Sequence, residues 1–308
     1  MKKSKIIVPA LGILAFSTAA AVTGTVAWFT ANRLATVKND QITVVNPEEG
    51  LILYKVVKVA NTKVTGVNGS GVPDTPNLAS VTHANDGTNQ GVLRDASVDL
   101  SGSTVAAYKS ILNESTGVRT GFEALDALTD KDTKKFDGKD IYYLTAFTAS
   151  FKVNRVDTAH DASLFLDVAN STITEPNYAT AGKASKALRF GFKTADQWFV
   201  WAPLTEDDTV KYVHKDGENA PAETALTTGQ FVKGTTTTSS LDDSSGPMAK
   251  ATATAYPEYL GILKDDADLD VTIYTWFEGS DSNCVNEQFK VSAAFTADLK
   301  FVSRKVTK

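Results

Sequence analysis

The chain has 308 residues, 42% hydrophobic and 22% charged, which are ordinary values for a folded protein and enough for one large β domain or two small ones. Its net charge is −5; without Lys2, Lys3 and Lys5 the 31 basic residues fall to 28 against 36 acidic ones, a net of −8. An acidic surface lacks the basic footprint that nucleic-acid binding needs, and anionic lipid headgroups would repel it.

The N-terminus comes first. Lys2, Lys3 and Lys5 precede an apolar stretch from Ile6 to Phe16, and the small residues of "STAAAVTGTVA" lead to Trp28. This order describes a secretory signal, with Ala27 before the cut and Thr25 two positions upstream. The competing reading is a retained anchor, because Ile6–Phe29 is 24 residues and a span needs about 20. The second half is Ala, Thr and Gly, which weakens it as a permanent span, so the membrane enters only through an uncleaved N-terminus. The reading is therefore a signal peptide over 1–27 and an N-terminal segment over 28–39 available as a donor strand. A single β-sandwich follows over 40–308, with insertions at about 60–138 and 204–255.

The stretch Ala27-Trp28-Phe29-Thr30 carries a resemblance. It is similar to the "A-[WF]-F-[TSN]" start of TasA-like and camelysin-like exported proteins of Gram-positive bacteria. The resemblance implies processing by a SipW-type signal peptidase and a mature chain beginning at Trp28.

Downstream, "DQITVVN" (40–46) and "LILYKVVKV" (51–59) read as strands separated by the turn signal Pro47–Gly50. Residues 61–140 are polar, with two short helical spacings: Val105, Tyr108, Ile111, Leu112, and Phe122, Leu125, Leu128. In "IYYLTAFTASFKVN", Ile141, Tyr143, Phe147, Phe151 and Val153 share one face. "SLFLDV" places Leu164, Leu166 and Val168 together, and "ALRFGFKT" sets Leu188, Phe190 and Phe192 against Arg189 and Lys193. "QWFVWAP" is a short strand closed by Pro203, and the low-complexity "GTTTTSSLDDSSG" reads as a mobile loop.

The C-terminal pair is the clearest. "LDVTIYTWFEG" puts Val271, Ile273 and Phe277 on one face and Tyr274 and Trp276 on the other. "FKVSAAFTADLKF" alternates without a slip, with Phe289, Val291, Ala293, Phe295, Ala297, Leu299 and Phe301 facing one way. Alternating strands, no long helices and unequal connections predict an all-β fold, a jelly-roll-type β-sandwich with long polar insertions carrying short helices. An immunoglobulin-like sandwich is the second choice.

"IYTWFEGSDSNC" also resembles the "W-[LFI]-E-G-x-D-x-x-C" signature of uncharacterised Firmicutes proteins with the same kind of signal. Trp276, Phe277, Glu278, Gly279, Asp281 and Cys284 match it. "ALRFGF" resembles their middle strand, with Arg189 at its usual arginine. The resemblance implies a secreted β-sandwich linked to surface fibres or matrix and no established chemistry.

The chemistry of this turn has a plain reading. Gly279 supplies a positive φ, Asp281, Ser282 and Asn283 bond local backbone, and Glu278 pairs with a base such as Arg189. Against it stands a Ca²⁺ site using Glu278 and Asp281 with carbonyls, the only cofactor the sequence suggests. Cys284, the single cysteine, reads as a buried small hydrophobe. "KDDADLD" lacks the Gly and Glu of a calcium loop, and His83, His160 and His214 lie far apart without an H-E-x-x-H. No nucleophile elbow, Walker loop or dinucleotide motif is present. The expectation is thus a non-enzymatic, secreted or cell-surface structural protein that self-associates or joins a related matrix protein by β-strand addition through Trp28, Phe29 and Thr30. The alternative is a monomeric adhesin or carbohydrate-binding module, with Trp198, Trp201, Tyr274 or Trp276 stacking on sugars.

Overall fold

The structure is a computed structural model that describes residues 34–45, 51–65, 70–71, 81–85, 92–113, 118–136, 138–153, 159–174, 184–235, 241, 246–264, 267–284 and 293–308. Residues 1–33, and with them Ala27, Trp28, Phe29 and Thr30, lie outside the described residues.

Two mixed sheets face each other. The first contains β1 (Leu34–Val45), β3 (Thr62–Thr65), β4 (Val81–Asn85), β11 (His160–Leu166), β12 (Thr172–Thr174), β18 (Tyr259–Leu263) and β20 (Ala293–Thr307). It runs β18-β11-β20-β1-β4-β3, with β12 beside β20 on the β11 side. The second contains β2 (Leu51–Ala60), β10 (Thr145–Val153), β13 (Leu188–Lys193), β14 (Trp198–Ala202), β17 (Phe231–Lys233) and β19 (Leu269–Glu278), in the order β2-β10-β19-β13-β14-β17. β5 (Val92–Asp99) joins the two: it pairs with the start of β1 and, in parallel, with the end of β19. It also carries β6 (Ala106–Leu112) and β7 (Arg119–Ala124) on one flank, and β9 (Lys139–Tyr142) with β8 (Lys131–Phe136) on the other.

The period-2 alternation of these strands explains the main core. Phe147 and Phe151 on β10, Ile273 and Phe277 on β19, and Phe190 and Phe192 on β13 meet Leu164, Leu299 and Phe301 of the first sheet. The Phe151 and Phe301 rings lie 4.8 Å apart, and Phe192 and Phe199 stack at 4.9 Å. The opposite face of β19 carries Tyr274 and Trp276 into a separate cluster with Val98, Leu144 and Val200. That outer layer is closed by the hairpin β15 (Lys211–His214) and β16 (Ala222–Ala225), through Tyr212 and the neighbouring Val210 and Leu226. The far face of the first sheet is covered by Tyr256 and by Ala253 of a single helical turn, α1 (Lys250–Ala253), packed near Phe165 and Val306.

An all-β sandwich is therefore present, but a jelly roll is antiparallel, and here β1–β20, β5–β19, β5–β9 and β14–β17 run parallel. Three readings change. The two helical spacings near residues 105 and 122 fall on strands β6 and β7. The stretch taken as the first insertion supplies β5, which links the sheets. The second supplies β15, β16 and β17, while residues 236–240 and 242–245 of its low-complexity centre lie outside the described residues. On β20, Ala297, Leu299 and Phe301 are buried as expected; Phe289 and Val291, and the side chains of Ala293 and Phe295, lie outside the described residues. No helix among the described residues is long and apolar enough to cross a membrane.

Candidate functional site

The signature turn closes β19 and sits in a buried polar cluster. Glu278 is 1% exposed. Its Oε2 accepts bonds from Trp276 Nε1 (2.9 Å) and Ser97 Oγ (3.0 Å), and its Oε1 from Ser280 N (3.0 Å) and Ser280 Oγ (2.7 Å). Ser97 Oγ in turn accepts from Val213 N at 2.8 Å, which ties the β15–β16 hairpin to β5 and β19.

Asp281 is the second acid of the cluster. Its Oδ2 accepts from Arg189 Nη2 and from Thr205 Oγ1 (3.0 Å), and its Oδ1 from Asn283 N (2.8 Å) and Asn283 Nδ2 (3.1 Å). Arg189, 1% exposed, also donates through Nη1 to the carbonyls of Lys186 (2.7 Å) and Leu188 (3.0 Å). The buried arginine thus pairs with Asp281, and the expected Glu278–Arg189 pair is replaced by a longer-range influence of its charge on Glu278. Ser282 extends the network outward by donating to Asp207 from its N–H and hydroxyl.

Gly279 is needed for a different reason from the one its sequence context suggests. It is absent from the positive-φ residues. Its N–H donates to Ala96 O at 2.7 Å, and an added Cβ would lie 2.7 Å from Ser110 Oγ and 3.2 Å from Phe122 Cε1. The close approach of β6 and β7 selects glycine here. Cys284 is 1% exposed within the main core.

Each carboxylate oxygen of Glu278 and Asp281 is taken by two protein donors. A Ca²⁺ ion would have to displace Arg189, an indole N–H and two backbone N–H groups, which argues against these weak metal candidates. Among the described residues no group of three or more His, Cys, Asp or Glu could hold a metal ion. What the cluster does is fasten β5, β13, β19, the 203–208 loop and the hairpin together.

Burial pushes the Glu278 carboxyl above its ordinary value of 4.5, while the bonds from Trp276 and Ser280 and the charge of Arg189 work against that rise. A raised folded value means that this group's contribution is full below the unfolded value and is lost as pH rises through the folded one. Relative to Glu278→Gln, which cannot titrate, the wild type should weaken in denaturant melts as pH climbs above 4.5. A pH-independent difference would contradict this.

Of the aromatics considered as sugar platforms, Trp201, Trp276 and Tyr274 are buried in the cores, and Trp201 Nε1 donates to Gly234 O at 2.6 Å. Trp198 is half-buried. A second cluster has no local sequence signal: His214 Nδ1 lies 2.6 Å from Asp99 Oδ2, and Asp99 Oδ1 accepts from Ser101 N (2.9 Å) and Oγ (2.6 Å). Burial, then the Asp99 charge, raises the nearby Tyr108 and Tyr212 hydroxyls. His214 and Asp99 are 115 positions apart, so no local motif could have found them.

In comparisons with known proteins the chain matches no family model, no curated protein and no solved structure.

Proposed function

We propose that this protein is a secreted structural component of the surface or extracellular matrix of a Gram-positive bacterium, a fibre-forming or fibre-associated biofilm subunit that assembles by β-strand addition. The observation that carries this reading is the pairing of β1, close to the N-terminus, with the C-terminal β20 over ten residue pairs in parallel, from Ala35↔Ala293 to Val45↔Val302. A strand held this way can occupy the same slot in a second copy and keep every ladder contact, so exchange costs little beyond the connection. The β2 edge is a poorer acceptor. Its register with β10 slips at Val59 and at Tyr54, and Lys55 and Lys58 lie along it; bulges and lysines blunt an edge.

Locking β1 at home tests this. Ala35→Cys with Ala293→Cys places two cysteines on adjacent strands at about 4.8 Å, within disulfide reach. The oxidised variant should stay monomeric by light scattering and electron microscopy, and reduction should restore assembly. Assembly of the oxidised form at the wild-type rate would defeat the exchange model. No assembly in wild type or variant would favour the monomeric adhesin.

A further inference from the structure

Among the described residues the outer face of the second sheet is covered at one end only. Around Trp276 and Tyr274 it lies under the outer layer. Beyond them the register places Val57, Thr148, Thr272, Lys193 and Trp198 in one row across β2, β10, β19, β13 and β14. Strands about 4.8 Å apart make this row about 19 Å long. Thr148 and Thr272 share a hydroxyl–hydroxyl bond of 2.8 Å. In the next row Ser150 Oγ donates to Asp270 at 2.5 Å. Past it, Lys152 Nζ lies 3.0 Å from Asp268 and 3.6 Å from the centre of the Tyr54 ring, which is 40% exposed.

Two overhanging pieces make this face a groove. Lys193 Nζ donates to Leu100 O (2.7 Å) and Gly102 O (2.9 Å), pinning the β5–β6 turn. Asn61 Nδ2 donates to Leu128 O (3.0 Å), pinning the loop after β7. Between them and the sheet lies an open cleft of about 470 Å³ that reaches Asp270 and Thr272. A second cleft, about 600 Å³, shares Thr194, Ala195 and Asp270 with it and continues past the β13–β14 turn. The two form one long, shallow track.

The chemistry of the track selects a ligand. The clefts are lined by Lys193, Lys250 and Lys264 and by Asp126, Asp196, Asp268 and Asp270, and Lys152 pairs with Asp268, so the charges balance and little net charge is offered to an ion. Hydroxyls and an exposed carboxylate line the floor, and beyond it, across the Lys152–Asp268 pair, stands the Tyr54 ring with Lys152 over one face. A shallow track of this length suits an extended chain. We propose that it binds a neutral polysaccharide, with Asp270 and Thr272 bonding sugar hydroxyls and Tyr54 stacking on a ring face. This does not rest on the strand-exchange reading, because all the lining residues named come from one copy.

Calorimetric titration of the full-length protein with cellohexaose, chitohexaose and laminarihexaose tests it, with polygalacturonate as the charged comparator. At least one neutral hexasaccharide should bind. Asp270→Ala and Tyr54→Ala should each weaken binding about tenfold, the loss expected for one charge-assisted bond or one stacking contact, while both variants stay folded by far-ultraviolet dichroism. Binding to none of the three, preference for polygalacturonate, or variants that bind like wild type would each overturn the proposal.

Discussion

Leu299→Asp should yield no soluble folded protein. Leu299 is fully buried in the main core, opposite Ile42 in the β1–β20 register. Removing its apolar side chain forfeits about 1.5–3 kcal/mol of burial. An uncompensated carboxylate adds several kcal/mol more, against a typical total of about 5–15. Soluble yield and far-ultraviolet dichroism check this, with Lys300→Gln on the neighbouring, half-buried position as a near-neutral control. Normal melting of Leu299→Asp would show that the inner face of β20 is misassigned.

Asp281→Ala should be the most damaging single change in the signature turn. It leaves the Arg189 guanidinium, 1% exposed, without its counter-charge. Breaking one side of a buried pair costs about 3–5 kcal/mol, whereas replacing both partners by apolar groups is far milder. The double variant Asp281→Leu, Arg189→Met should therefore regain a large part of the loss. Thr205 and Asn283 lose bonds in both, which keeps the recovery incomplete. Denaturant melts of Asp281→Leu, of Arg189→Met and of the double measure the coupling, and additive losses would mean that the pair carries no special weight.

Much of the sandwich was legible because its central strands are apolar on both faces and are buried along most of their length. The two faces of β19 separate into two cores along the division that its sequence shows, Val271, Ile273 and Phe277 against Tyr274 and Trp276. β6 was not legible. Its buried positions include Ala107, Tyr108 and Ser110, while Ile111 is 43% exposed, so the apolar residues mark the wrong period. Ser110 is small because it packs against Gly279, and that requirement comes from a strand nearly 170 positions away. The signature turn could be located but its partners could not. Ser97, Thr205 and Asp207 reach it from distant loops and strands, and ordinary serine, threonine and aspartate carry no mark of that role.

The pairing of β1 with β20 also sets an order of events. Ala35 and Ala293 are 258 positions apart, so β1 waits for a strand made 258 residues later. At about 5–20 residues per second that wait is on the order of 10–50 s. Among the described residues no earlier strand pairs with the β20 side of β1, and contacts this distant in sequence form slowly. A nascent chain can therefore pair one side of β1 early, with β4 and β5, but must hold the other side open until β20 emerges. A product that ends before residue 293 can never supply its partner, so the first sheet is completed only after Ala293–Thr307 have emerged.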